Sequence, residues 1–279
     1  MYKIVQREVL SENVVKLVIT ADRIAKSRKA GQFVIVKLGE KGERIPLTIA
    51  DSDPVKGTIT LIIQKVGVTS HKFFTIREGE EVTDIVGPLG LPTHIKKVGT
   101  IVAAGGGVGI APLYPIAKAF KEAGNKLIVI LAARNKDLII LEKEMREFAD
   151  EVLVYTDDGS SGTKGLVTAG VEHVIKREGV DEVVTIGPAV MMKFVALLTK
   201  KYNIHTLASL NTIMVDGTGM CGACRVTVGG STKFVCVDGP EFNAHEVDFD
   251  EMLRRLGAYV DLEREAYQKS LEESFGGTK

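Results

Sequence analysis

The sequence predicts a small antiparallel β-barrel, then a parallel-sheet α/β domain, with a compact cysteine-bearing module and a helical tail closing the chain. Three observations carry that prediction. Residues 1–97 read as short β-rich runs parted by turn residues. Residues 98–210 alternate strand and helix, the pattern of a parallel sheet covered by helices. All three cysteines, Cys221, Cys224 and Cys236, fall within residues 211–247. At about 150 residues per domain, a length of 279 residues suits two main domains, with 211–247 as the module and 248–279 as the tail.

Within the first part, residues 2–10, 14–21, 32–38, 44–49, 58–66 and 81–86 are the candidate strands, and such short, tightly spaced strands suit a small barrel. The helical candidate there is 71–76, opened by Thr69 and Ser70, both suited to an N-cap. Beyond Gly99 the order is strand 100–104, a glycine turn, helix 110–122, strand 126–133 and helix 140–148. Strand 151–156, helix 166–177, strand 182–186, helix 189–201 and strand 205–209 complete the alternation. A Gly-rich insert covers 211–240, and charged helices are expected at 248–256 and 262–270.

Composition excludes several classes of protein. Lys plus Arg and Asp plus Glu are 36 each, leaving no net charge to grip a phosphate backbone, so nucleic acid is not an expected partner. Hydrophobic residues at 45% and charged residues at 26% are ordinary globular usage. The longest aliphatic run, residues 127–133, is far short of the ~20 residues that cross a bilayer as a helix. Charges interrupt the apolar residues of the N-terminus, which therefore lacks the apolar region of a secretory signal; a cytoplasmic protein without membrane contact is expected. Cysteines confined to one segment point to ligand usage rather than a disulfide framework.

Four motifs point to chemistry. Gly105, Gly106, Gly107, Val108, Gly109 and Ile110 follow a buried strand and open a helix, where backbone N–H groups can receive a dinucleotide pyrophosphate. Ile110 breaks the G-x-G-x-x-G spacing, and a plain tight turn is the alternative. Gly67, Val68, Thr69 and Ser70 form a second such turn, or simply a capped helix start. Arg44, Pro46, Leu47, Thr48 and Ile49 put a cation, a rigid ring and a hydroxyl on one strand, suited to a phosphate and a flat ring; an edge strand with an exposed Arg is the bland reading. Arg134 can meet a 2'-phosphate, Asp157 and Asp158 a ribose or nicotinamide edge, and Gly187 and Pro188 join the cofactor-binding candidates. The fourth motif, Asp216-x4-Cys221-x2-Cys224-x11-Cys236, sits in a Gly-rich loop and approaches the plant-type iron-sulfur spacing, with Asp in the first position. Zinc held by three Cys and another ligand competes, and Asp238 and Ser231 are rival oxygen ligands. The histidines (71, 94, 173, 205, 245) show no ligand spacing, and Glu263, Glu265 and Glu272 read as a solvated helix face.

With these motifs in this order, the chain resembles the ferredoxin-NADP reductase superfamily over residues 1–250. The x4, x2, x11 loop narrows the resemblance to the electron-transfer subunits of dihydroorotate dehydrogenase. Their siblings, the small subunits of NADH-dependent reduced-ferredoxin:NADP oxidoreductase (sulfide dehydrogenase beta subunits), share it and use a carboxylate where Asp216 stands. The resemblance implies FAD in the barrel, with Arg44, Pro46, Leu47, Thr48 and Ile49 at the flavin or its phosphates and Gly67, Val68, Thr69 and Ser70 at its pyrophosphate. It implies NAD(H) in the α/β domain and a 2Fe-2S cluster on Asp216, Cys221, Cys224 and Cys236. Pro46 replaces the usual reductase Tyr, and the chain runs on into the cluster loop where simple reductases end on an aromatic.

The implied reaction is hydride transfer from NADH to flavin, then single electrons through the cluster to a partner. Flavin is needed because a hydride carries two electrons and a cluster takes one at a time. No side-chain acid or base is required, so no catalytic residue is expected. The implied partner is a larger flavoprotein with 4Fe-4S clusters, giving a heterodimer that couples NADH, NADP and ferredoxin by electron bifurcation. Two alternatives remain: the electron-transfer subunit of dihydroorotate dehydrogenase, and a nucleotide-binding regulatory subunit with structural zinc.

Overall fold

The structure, a computed structural model, describes residues 2–40 and 42–276. Met1, Lys41 and residues 277–279, which the expected barrel and tail include, lie outside the described residues.

The barrel is built from β1 (Tyr2–Ser11), β2 (Val14–Thr20), α1 (Asp22–Ser27), β3 (Phe33–Lys37), β4 (Arg44–Asp53), β5 (Thr58–Gln64), α2 (Val68–Thr75), β6 (Glu81–Val82) and β7 (Asp84–Leu89). Its antiparallel sheet runs β6-β1-β2-β5-β4-β3-β7. The two edges, β6 and β7, are separated in sequence by Thr83 alone, so the sheet must curl back on itself. Alternation sets the core: Val15, Leu17 and Ile19 of β2 pair with Ile63, Leu61 and Ile59 of β5, and all six are buried, as a period of two on a one-sided sheet requires. The expected strand at 81–86 is therefore two strands broken at Thr83. Helix α1 is not among the expected elements; it is only six residues long and buries just Ile24 and Ala25, too little for a helical period to register. Helix α2 starts at Val68 rather than His71, because the Ser70 hydroxyl accepts the N–H groups of Val66 and Gly67 at 2.9 Å each and sets the cap earlier.

The second sheet contains β8 (Thr100–Gly106), β9 (Lys126–Ala133), β10 (Glu151–Thr156), β11 (Thr163–Lys164), β12 (Glu182–Ile186) and β13 (His205–Ser209). The helices are α3 (Ile110–Glu122), α4 (Glu142–Arg146), α5 (Val167–Arg177) and α6 (Ala189–Lys201). Strand β8 is central, with β9 on one side and β12 on the other. Its residues alternate between two helical layers: Ile101 and Ala103 pack with α3, and Val102 and Ala104 with α5 and α6. Burial on both faces explains the near-continuous apolar runs of β8 and β9. Helix α4 is shorter than the expected 140–148, because Leu141 adopts a left-handed conformation (φ 55°) immediately before it.

The cysteine-bearing module is not a separate appendage. It comprises β14 (Arg225–Val228), β15 (Ser231–Phe234), α7 (Val235–Asp238) and β16 (Glu241–Asn243), followed by the tail helices α8 (Phe249–Leu256) and α9 (Val260–Gly276). Gly229 and Gly230, with φ of 57° and 75°, make the two-residue hairpin turn that only such residues form readily. Strand β16 joins the second sheet antiparallel to β13, so the sheet expected to be parallel has one antiparallel edge. Helix α8, capped by Asp248 accepting the Glu251 N–H at 2.8 Å, packs on α6, where Lys193 meets Asp250 at 2.6 Å. The module also touches the barrel: the Leu91 N–H donates to the Gly239 carbonyl at 2.7 Å, and Gly217 lies against Ile35 and Leu89.

Candidate functional site: a cleft between two sheets and the cysteine loop beside it

A cleft of about 1700 Å³ opens between the barrel and the second sheet. A single small-molecule site takes ~300–1,000 Å³, so there is room for more than one ligand. Its walls include Pro46, Leu47 and Thr48 of β4, the turn Gly67, Val68, Thr69 and Ser70, the turn Gly106, Gly107, Val108 and Gly109, and Arg134, Asp157, Gly187 and Pro188. Three motifs far apart in sequence thus share one space. The glycine turn stands at the carboxyl end of β8, where strand order reverses, and open α/β sheets bind ligands at such a switch point.

The local geometry explains the glycines. Gly107 has φ of +56°, and a methyl in place of its hydrogen would meet nothing within 4 Å, so its backbone is left-handed and open to the cleft. Gly109 is the opposite case: a Cβ there would meet the Ile186 carbonyl oxygen at 2.5 Å and the Gly187 Cα at 2.7 Å. Helix α3 can therefore approach β12 closely enough to aim its N-terminal N–H groups across the sheet end. Sequence reasoning missed Met191, which also lines the cleft and fills the space left beside Gly106 and Gly187.

Arg134, Asp157, Glu172 and Lys201 line the α/β wall of the cleft, whereas the charged lining residue of the barrel wall is Glu43, next in sequence to Arg44. Arg44 precedes the cleft-lining Ile45 on β4; its Nη1 is 3.5 Å from Asp84 Oδ2, and its Nε is buried with no hydrogen-bond partner. An orphaned cationic donor is costly, and an anionic ligand at this strand would relieve it. At the N-terminus of α2 the Thr69 hydroxyl donates to Glu43 Oε2 at 2.5 Å. A carboxylate thus already sits on the helix end, where the dipole and free N–H groups favour an anion. Sequence alone does not single out Glu43, since its role depends on the turn 26 residues away.

Several candidates lie outside the cleft. Ile49 and Ile110 are 1% and 0% exposed, in the barrel core and on the buried face of the first turn of α3, and Gly105 packs against Leu113; only the backbone of these three can face a ligand. Asp158 is exposed, and hydrogen bonds from Ser160 hold its carboxyl below the usual carboxylate range. Three histidines have packing partners: His71 with Tyr267, His205 with Glu182 and His245 with Thr199. Glu263, expected on a solvated face, lines the cleft together with Ala266.

In the cysteine loop, Gly217, Gly219 and Gly222 have φ of 76°, 85° and 64° and turn the chain around Asp216. Asp216 Oδ1 accepts the Thr218 N–H and Oδ2 the Cys221 N–H, each at 2.7 Å; these bonds, Thr218 first, hold its carboxyl below the usual range. Cys221 is exposed, whereas Cys224 and Cys236 are buried with their sulfurs 3.2 Å apart. Two thiolates on one tetrahedral ion with ~2.3 Å bonds stand ~3.8 Å apart, so this pair needs to open by only about half an ångström to share a metal. Burial, with Cys224 next, pushes the Cys236 thiol up to about 12, so metal binding there must displace a proton. Among the described residues no three Cys, His, Asp or Glu side chains converge on a single ion. The four candidates instead fall into two pairs, Asp216 with Cys221 and Cys224 with Cys236. Of the rivals, Asp238 already accepts the Phe234 N–H at 2.7 Å, and Ser231 opens β15 just after the hairpin turn.

Comparison with known proteins agrees with this geometry. Residues 104–197 match the oxidoreductase NAD-binding domain, and residues 211–248 match the iron-sulfur cluster binding domain of dihydroorotate dehydrogenase B. The chain is 47% identical over 270 residues to a dihydroorotate dehydrogenase B (NAD(+)) electron transfer subunit homolog of Thermotoga maritima, covering 97% of this chain and 95% of that protein. With the electron transfer subunit of Fusobacterium nucleatum it shares 32% identity, covering 86% and 95%. A chain of the solved NADH-dependent reduced ferredoxin-NADP oxidoreductase, studied for flavin-based electron bifurcation, superposes with a TM-score of 0.92 at 46% identity, covering 97% of this chain and 98% of that one. Phthalate dioxygenase reductase, at 17% identity and a TM-score of 0.60, covers 81% and 85% and shares the fold. No helix among the described residues is long and apolar enough to cross a membrane. The chain belongs to the family of dihydroorotate dehydrogenase B-type electron-transfer subunits, oxidoreductase subunits in which a barrel and an NAD-binding sheet enclose one cleft and an iron-sulfur loop lies beside it.

Proposed function

We propose that this chain is the NADH-oxidising subunit of a larger electron-transfer complex, using FAD, NAD(H) and a 2Fe-2S cluster. The observation that carries the reading is the juxtaposition of the two anion-type turns in one cleft, with the cysteine loop resting on barrel strands β3 and β7 through Gly217. Arg44 and the Gly67–Ser70 turn hold the flavin phosphates, Pro46, Leu47 and Thr48 flank its ring, and the Gly106–Gly109 turn holds the pyridine dinucleotide. When bound, flavin supplies the exchange between a two-electron hydride and the one-electron cluster. The protein binds, orients and excludes water; no side-chain acid or base takes part.

Asp216, Cys221, Cys224 and Cys236 are the proposed cluster ligands. A carboxylate has about four lone-pair sites on two oxygens, so Asp216 can bind iron while still accepting the Thr218 and Cys221 N–H groups. The partition 1–97, 98–210, 211–247 and 248–279 belongs to the same proposal, with β16 tying the third part to the second. The partner is a larger catalytic flavoprotein subunit with 4Fe-4S clusters, through which ferredoxin and NADP are reached. This chain's three cysteines are too few for such centres, each normally held by four thiolates. Free thiols suit a cytoplasmic setting.

Protein purified without air tests the reading. It should contain FAD, iron and acid-labile sulfide, and Cys224→Ser should retain flavin reduction by NADH while losing electron delivery to the partner. Stoichiometric zinc without iron, or onward transfer at the wild-type rate in the variant, would overturn it. The names of its relatives favour a second reading, the electron-transfer subunit of a dihydroorotate dehydrogenase. The co-purifying partner separates the two.

A further inference from the structure

Glu263 and Ala266 of helix α9 line the cleft. Its near end is firmly anchored, since α8 buries Phe249 and Met252 in a cluster shared with Met192 and Ala196 of α6. Between the two helices lies a short exposed turn, Gly257–Tyr259, in which a Cβ on Gly257 would meet nothing within 4 Å. The middle of α9 reaches the barrel, where Tyr267 Oη lies 3.2 Å from His71 Nδ1 on α2 and the two rings are 5.9 Å apart. The helix therefore runs from the α6 side of the cleft to the α2 side. None of the side chains described in residues 257–272 is buried, and segments with so few buried contacts open at the low end of the local-stability range.

We propose that α9 is a strap that closes the cleft over the pyridine dinucleotide, with the Tyr267–His71 contact as its latch, and that the latch must release for the nucleotide to exchange. This rests on the reading that the cleft takes a pyridine dinucleotide. Of the two ligands read into the cleft, the flavin stays through successive turnovers, whereas the pyridine nucleotide enters and leaves each time. A firmly rooted but weakly packed arm suits the ligand that exchanges, and lid opening commonly limits product release.

The test uses the full, cofactor-loaded protein and a stopped-flow measurement of NAD+ and NADH dissociation. Tyr267→Phe removes the latch hydroxyl and should speed release about fivefold, the order of one lost hydrogen bond. A chain ended after Leu256 should speed it about tenfold or more. In Tyr267→Phe, flavin content and the rate of flavin bleaching at saturating NADH should match the wild type, and the shortened chain should keep its flavin, which also shows that the fold is intact. Release rates unchanged in both variants would overturn the strap. So would loss of flavin on truncation with unchanged nucleotide release, since α9 would then cover the flavin. Failure of the wild-type protein to bind NADH would instead overturn the reading of the cleft itself.

Discussion

Replacing Gly109 by Ala tests the packing that shapes the glycine turn. A methyl there would stand 2.5 Å from the Ile186 carbonyl oxygen, 2.7 Å from the Gly187 Cα and 2.8 Å from the Ile186 carbonyl carbon. All three are backbone atoms, so no side chain can rotate away and the start of α3 must separate from the end of β12. Overpacking of this kind costs ~1–3 kcal/mol, and a rigid backbone obstacle points to the upper end, ~3 kcal/mol. At roughly 2–4 °C per kcal/mol for a unit of this size, the thermal midpoint should fall by about 6–12 °C. Gly107→Ala is the control. It meets no neighbour within 4 Å but forces a side chain to a φ of +56°, which costs ~1–2 kcal/mol, and it projects a methyl into the cleft. Gly109→Ala should therefore lose more stability, while Gly107→Ala loses NADH affinity with the smaller change in midpoint. Differential scanning calorimetry and titration of flavin bleaching measure the two effects. A Gly109→Ala protein as stable as Gly107→Ala would refute the close approach of α3 to β12.

Glu241, whose carboxyl accepts the Thr93 hydroxyl at 2.7 Å, is pushed up to about 7 by burial, with Glu182 adding to the effect. Because the folded value lies above the ordinary 4.5, its contribution is full below about pH 4.5 and lost as pH rises through about 7; Glu241→Gln should remove that slope and be more stable than wild type at pH 8 by ~3 kcal/mol. Parallel urea-stability profiles of the two proteins across this range would count against it. Arg44→Met should lower FAD affinity tenfold or more, the scale of ~1.5–3 kcal/mol for a charged hydrogen bond, yet leave the flavin-free barrel at least as stable because a buried orphan donor is gone; flavin retention on gel filtration and the apo thermal midpoint read both. Asp216→Ala should make the cluster labile to air, whereas Asp216→Cys should keep a 2Fe-2S cluster with a shifted reduction potential. Unchanged visible spectra in both would transfer the oxygen-ligand role to Asp238 or Ser231.

Local sequence marked most strands and helices of the two large sheets and the motifs between them. The period-two runs of β2 and β5, the apolar runs of β8 and β9, and the glycine turn between β8 and α3 are legible because strand period, two-sided burial and left-handed backbone each leave a residue-level mark. The x4, x2, x11 spacing likewise marks a ligand loop, because its residues lie close along the chain. What the sequence did not carry was the pairing of distant segments. Strand β16 is three residues long and acquires its meaning only from β13. Glu43 meets Thr69, Met191 fills the space beside Gly106 and Gly187, and Glu241 meets Thr93 across 148 residues. Helix α9 reads as a solvated charged helix because charged and polar residues outnumber its apolar ones, and its place across the cleft is set by the anchoring of α8 and by the contact between Tyr267 and His71, 196 residues away. Secondary structure and motif chemistry depend on neighbours within a turn or a strand, whereas the shape of the cleft depends on contacts whose partners no local pattern specifies.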